Sequence, residues 1–466
     1  MDASELAFAG IARQAELIRD GEVSSRELVE LYLGRIERLD PELNCFRAVL
    51  AERALAEADD ADRRRAAGQD RRLLGVPVAI KDVDDVEGEL TTLGTGGFDE
   101  PAARDSESVA ALRAAGAVVI GKTNLPELAI CGFTESRTWG VTRNPWRPDR
   151  TPGGSSGGSG AAVAAGLIGA ASATDGAGSI RIPAAFCGLF GLKPQWGRVA
   201  VQPADHWYGL SVGGCVSRRV LDTALYLDVA RRTGAGAPPA PERTYVEAAG
   251  TAPPSLRIAV SAKPVRAVAP PIVRDEVLAG LATIEATLRS LGHDVRRRDP
   301  RYGVAGNEMV PRYLRGIHDD VARVPDPEQL EPRTRGFARL GSLYPPALVR
   351  RARLAAERDA RRINAIFDHA DVLVTPTVGE PPVEVGRWEG RGALRTLLGM
   401  SRTYCFTPIW NHTGQPAASV PAGFTDDGLP LAVQLVVPPN REELLISLAA
   451  QLEAERDWTE RRPPDR

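Results

Sequence analysis

Lysine is nearly absent from this chain of 466 residues: of 58 basic residues only Lys81, Lys122, Lys193 and Lys263 are lysines. Arginine stands almost everywhere that a positive charge suffices. A retained lysine therefore raises the question of whether something particular to lysine is needed, set against simple compositional drift. Lysine can lose its proton when desolvated, whereas arginine cannot. Histidine is also scarce, with His206, His293, His318, His369 and His412 alone. Five scattered cysteines (Cys45, Cys131, Cys187, Cys215, Cys405) form no CxxC pair, which argues against a disulfide framework or a zinc site. No apolar run approaches the roughly 18 residues that span a bilayer. The amino terminus lacks a basic start followed by an apolar stretch, so no signal peptide is expected. A net charge of −3 leaves no footprint for nucleic acid or an anionic membrane. A soluble cytoplasmic protein is the expectation.

What is present reads as globular: 43% hydrophobic and 26% charged residues. Arg63–Arg65 and Arg296–Arg298, each flanked by acids, read as solvated helix or loop faces. Ser24 and Glu27 have capping-box spacing, and Leu28, Leu31, Tyr32 and Ile36 recur with helical period. A helix over 20–40 follows, with Pro41 just past its end. A second helix is expected over 47–68. Residues 75–81 and 117–122 are short apolar strands, each running into a lysine, with a helix at 106–115 between them. Further strands are expected at 169–174, 257–261, 371–375, 418–421 and 431–437, and helices at 161–167, 272–291, 347–368 and 441–455. Strands alternating with helices from end to end predict an α/β chain with one central mixed sheet surrounded by helices. Residues 1–466 are taken as a single domain, with a motif core at about 75–195 and a variable middle segment at about 235–350. The Ala/Pro-rich stretch 235–255 reads as an irregular connection.

The run GGSSGGSG at 153–160 is the densest chemical signal. It lacks the Gly-Lys-Ser/Thr ending of a phosphate loop. It fits the nucleophile-elbow pattern GxSxG twice, centred on Ser155 or on Ser156, which shows how weak that pattern is alone. An elbow hydrolase also needs a histidine, and His412 is the best placed, although a structural role suits it better. Read together with Lys81, with Asp175-Gly-Ala-Gly-Ser179-Ile-Arg181 and with Gly188-Leu-Phe-Gly-Leu-Lys193-Pro194, the block resembles the amidase-signature family. The 24 residues between Ser155 and Ser179 match that family's spacing. The similarity extends to Gly21–Val29 in a first helix and to Asn411–Ala417 and Ser419–Phe424 in late strands.

That resemblance implies a hydrolase acting on a small-molecule amide, with neither metal nor organic cofactor. Ser179 would be the nucleophile. Ser155, preceded by a cis peptide, would bridge it to Lys81, the general base. The N–H groups of Gly176, Ala177, Gly178 and Ser179 would face the oxyanion. The chemistry is coherent: a serine needs a base to become nucleophilic, and a lysine serves only if burial holds it neutral. Lys122 and Lys193 are expected to be structural, paired with nearby charge. Asp175 and Arg181 are expected to brace the second turn, and Cys187 to be a packed thiol. The DGAGS turn departs from the family's usual Asp-Thr-Gly-Gly-Ser and resembles the subgroup containing the cyclic nylon-oligomer hydrolase. Its Ala177 restricts the backbone and puts the identity of the oxyanion donors in question. The aromatic insertion Asp205–Tyr208 either lines an acyl pocket or covers the core. Three other readings stand beside this one: the glutaminase subunit of a tRNA-dependent amidotransferase, a catalytically silent binding protein, and a histidine-dependent elbow hydrolase. Substrate and assembly, including a homodimer, are left open.

Overall fold

The structure is a computed structural model that describes residues 1–464. Eleven strands from across the chain join one sheet. They are β1 (Phe46–Val49), β2 (Pro77–Lys81), β3 (Val118–Thr123), β4 (Ala170–Asp175), β5 (Phe190–Lys193) and β6 (Val212–Ser217). The later strands are β7 (Arg257–Val260), β8 (Asp294–Arg297), β9 (Val372–Pro376), β10 (Ala417–Phe424) and β11 (Pro430–Val436). Their spatial order is β1-β3-β2-β4-β6-β5-β10-β11-β9-β7-β8. The sheet is mixed: β3, β2 and β4 run parallel, the centre from β4 to β9 is antiparallel, and β9, β7 and β8 are parallel again.

Side chains alternate across a strand, and here both faces are covered. Val78, Ile80 and Val119 pack with the helices Val220–Ala230, Asp275–Ser290 and Glu442–Arg456. Their neighbours Ala79, Val118 and Ile120 pack on the opposite face with helices Ser25–Leu43, Ala51–Ala66 and Gly157–Ala164. Two-sided burial is why the inner strands read as uninterrupted apolar runs. The outer strand β8 carries the Arg296 cluster, and Arg296 and Arg297 pair with Asp294 and Glu285. That run is therefore a charged sheet edge, which discourages pairing with another chain, rather than a helix or loop face.

Several boundaries differ from the sequence reading. The Ser24–Glu27 capping box forms as expected, but the helix continues through Pro41 to Leu43, where Asn44 ends it in the left-handed region. The predicted helix over 47–68 gives up its first residues to edge strand β1, since Phe46 packs into the core before the helix begins at Ala51. The connection 235–255 contains the short capped helix Tyr245–Ala249. Asn411–Thr413 close a helix, Pro408–Thr413, rather than lying in a strand.

The glycine run itself starts a helix at Gly157, four residues before the alanines. Close approach explains this composition. A Cβ on Gly158 would sit 2.5 Å from the backbone N and O of Asn124 and from the O of Cys45. The helix is thereby pressed against the chain leaving β3, which puts Ser155 beside the carboxyl ends of β2 and β4. Gly158→Ala should destabilise the fold by about 1–3 kcal/mol in urea unfolding, because backbone atoms cannot move aside. Gly34→Ala, in a helix with nothing within 4 Å of the added methyl, should be neutral to stabilising by about 1 kcal/mol. Equal effects at the two positions would contradict the packing account.

Candidate active site

Lys81 ends β2, and its side chain is fully buried. Its backbone N–H donates to Ser172 Oγ at 2.8 Å. Its Nζ lies 2.8 Å from Ser155 Oγ and 2.9 Å from Thr174 Oγ1. Among the described residues no carboxylate forms an ion pair with this amine. Burial pulls the ammonium pKa down to about 7, against the opposing pull of Asp84 and Asp175. Asp84, itself buried, is pushed up to about 6 by desolvation, partly offset by a hydrogen bond from Ser172 Oγ at 3.2 Å. The peptide between Gly154 and Ser155 is cis. The two elbow candidates separate here: Ser155 meets Lys81, whereas Ser156 donates to Thr174 O at 3.4 Å.

Ser179 follows β4 on the second turn and opens into a cavity of about 840 Å³, counting its mouth. Its hydroxyl makes no hydrogen bond with another group among the described residues, so the structure joins Lys81 to Ser155 directly and leaves Ser179 Oγ free at the cavity wall. The turn around it is tightly braced. The Asp175 carboxylate accepts from the N–H of Gly178 at 2.6 Å and of Ile180 at 3.2 Å. It also accepts from Arg181 Nε at 3.0 Å, Arg181 Nη2 at 2.9 Å and Asn411 Nδ2 at 2.9 Å. Burial alone would raise its pKa, but the Arg181 guanidinium holds it down at about 2. Arg181 in turn reaches Gln434 Oε1 at 2.6 Å and Thr407 O at 2.9 Å, and Thr407 Oγ1 donates to Ala177 O at 2.9 Å.

This bracing answers the question raised by Ala177. Gly178 has φ +131°, and a Cβ there would collide with Thr407 and Ile182, so glycine is required. Gly176 lies against Trp207, 2.7 Å from where its Cβ would be. Ala177 is not among the residues with positive φ, and it borders the cavity. Gly178 N–H is committed to Asp175, whereas no protein acceptor takes the N–H of Gly176, Ala177 or Ser179 among the described residues.

The other singled-out residues fall outside this constellation. His412 is buried between Asp359, at 3.1 Å, and Arg312, at 3.4 Å, and desolvation lowers its pKa to about 4. Lys122 pairs with Asp82 at 2.8 Å, as expected of a structural lysine. Lys193 departs from the expectation of charge pairing: its Nζ donates to Pro194 O at 2.9 Å, and burial lowers its pKa to about 7. Cys187 is buried, and desolvation raises its thiol well above the ordinary value. In the aromatic insertion, Trp207 lines the cavity while Tyr208 turns away to donate to Asp319. Sequence reasoning missed Ser172 and Thr174, although their spacing of two on a buried strand places both on one face beside Lys81. It also missed Thr407 and Gln434, which no local signal connects to the turn.

Known proteins resemble this chain over nearly its whole length. The Amidase family profile matches residues 27–446. AmiB2 of Mycobacterium tuberculosis is 49% identical over 99% of both chains. The 6-aminohexanoate-cyclic-dimer hydrolase of Paenarthrobacter ureafaciens is 35% identical over 97% of this chain and 95% of its own. A solved structure of 6-aminohexanoate cyclic dimer hydrolase complexed with substrate superposes with a TM-score of 0.87 at 32% identity, covering 98% of this chain and 99% of that one. The α/β chain with its central mixed sheet thus belongs to the amidase-signature family, the Amidase hydrolases that act on amides.

Proposed function

We propose that this amidase cleaves the carboxylic amide C–N bond through an acyl-enzyme on Ser179, with Ser155 and Lys81 as its proton relay. The observation that carries the reading is the buried Lys81 amine, 2.8 Å from Ser155 Oγ and lacking a carboxylate partner. A lysine so placed is neutral over much of the range above pH 7 and can accept a proton. Ser155 passes the Ser179 proton to Lys81 as Ser179 Oγ bonds to the amide carbon. The oxyanion is received by the N–H groups of Gly176, Ala177 and Ser179, since that of Gly178 is engaged by Asp175. The C–N bond then breaks as the proton returns through Ser155 to the departing amine. Water then attacks the acyl carbon as its proton passes to the same relay. The ester bond to Ser179 Oγ breaks to release the acid, and the proton returns through Ser155 to Ser179. Thr174 holds the lysine amine toward Ser155. Five free, buried cysteines fit a cytoplasmic setting, where thiols stay reduced.

Labelling with a fluorophosphonate, followed by peptide mapping, tests the assignment. The label is expected on Ser179, and its rate should rise as pH increases through about 7, because deprotonated Lys81 is the active form. Lys81→Ala should slow labelling by about 10²–10⁴-fold. Lys81→Arg should not restore it, since arginine keeps its proton. Label on Ser155 or Ser156, or an unchanged rate in Lys81→Ala, would overturn the relay.

A further inference from the structure

The cavity that Ser179 faces is walled by apolar groups. Ile130, Ile182, Val265, Met309, Leu397 and Met400 supply much of it, and among the described residues no Asp, Glu, Lys, Arg or His borders it. Three ring-bearing side chains complete the wall, and each has already placed its polar atom elsewhere. Tyr313 Oη donates to Ile130 O at 2.5 Å, Tyr404 Oη to Gly132 O at 2.7 Å, and Trp207 Nε1 to Asp320 at 2.7 Å. Trp207 is held further by stacking on His206, with ring centroids 4.9 Å apart, and by an edge contact with Tyr313 at 5.1 Å. Ser401 Oγ is likewise engaged, by Leu398 O at 3.0 Å. Cys131 and Cys405 also border the space, and burial raises both thiols to about 12, so they present neutral sulfur. Among the described residues, Ser179 is thus the one side chain of the wall with a free hydroxyl.

Orientation follows from which serine faces the space. Ser179 borders the cavity, whereas Ser155 and Lys81 do not. The departing amine must meet Ser155 to receive its proton, so it lies on the Ser155 side. The acyl group, which becomes bonded to Ser179 Oγ, extends the other way into the cavity. We infer that the enzyme acts on amides whose acyl group is uncharged and apolar, alkyl or aryl, and discriminates against acyl groups that carry a carboxylate or an ammonium. This rests on the acyl-enzyme reading above. Its physical basis is that a charged group entering this wall would lose its water and find no counter-charge, and no free hydrogen-bonding side chain besides Ser179, the nucleophile itself. Glutamine, with both an ammonium and a carboxylate, is excluded by the same argument.

The test compares kcat/KM for three primary amides of similar length: hexanamide, the monoamide of glutaric acid and 5-aminopentanamide. Because all release ammonia, only the acyl group differs. Hexanamide should be preferred by at least about a hundredfold over either charged amide. Leu397→Arg, a substitution at a half-buried wall position, should raise turnover of the glutaric monoamide relative to hexanamide by about tenfold or more. Equal or better turnover of a charged amide by the wild type would overturn the inference. So would failure to cleave hexanamide in a protein whose Ser179 still labels with fluorophosphonate. Absence of the Ser179 label would instead overturn the acyl-enzyme reading on which it rests.

Discussion

The chemistry proposed for this fold depends on taking one amine out of water. Lys81 ends a strand covered on both faces, and its Nζ meets two hydroxyls in place of a carboxylate. Desolvation disfavours the ammonium form, and hydroxyls compensate it less than a carboxylate would. The neighbouring strand offers a built-in contrast. Lys122 sits at the corresponding end of β3, one register position away, and faces Asp82 at 2.8 Å. Two lysines on adjacent strands thus receive opposite surroundings, one suited to accept a proton and the other to remain an ion pair.

The second constraint is rigidity of the turn that carries Ser179. A loop of small residues with no bracing would sample many conformations, and each misplaced donor would weaken its hold on a developing charge. Here the turn is tied to Asp175 and Arg181, and through them to Thr407, Asn411 and Gln434. These partners come from more than 225 residues further along the chain. The site is therefore completed by the late strands and the Pro408–Thr413 helix, which gives a physical reason for a sheet assembled from distant segments. Trp207 adds a third support: its ring lies under Gly176 while its indole N–H is held by Asp320.

How much of this could be read in advance follows from where each signal lies. Strands such as β2, β3 and β9 and the Ser24 cap were legible because two-sided burial and capping leave local patterns. Ser155, Ser179 and Lys81 could be singled out as candidates because they stand in a dense motif block, and the structure brings Lys81 and Ser155 to 2.8 Å. Strands β5 and β6 were not marked as such, since Phe190–Lys193 is short and Val212–Ser217 carries two glycines, Gly213 and Gly214, that weaken the strand pattern. The role of Ala177 could not be decided from sequence, because it turns on which turn residues need positive φ. The part played by Gly178 was hidden too, since only the folded turn aims its N–H at Asp175. The composition of the cavity was out of reach, because its wall is drawn from segments between residues 129 and 409.

The central claim is that Lys81 is neutral near physiological pH, and the scarcity of lysine makes this directly measurable. Protein labelled with ¹³C at lysine Cε contains only four lysines, and Lys81→Met identifies the Lys81 signal by its loss. Titration followed by NMR should show that signal changing with a midpoint near pH 7. A Lys81 signal that stays in its protonated position to above about pH 9, close to the ordinary lysine range, would contradict the account.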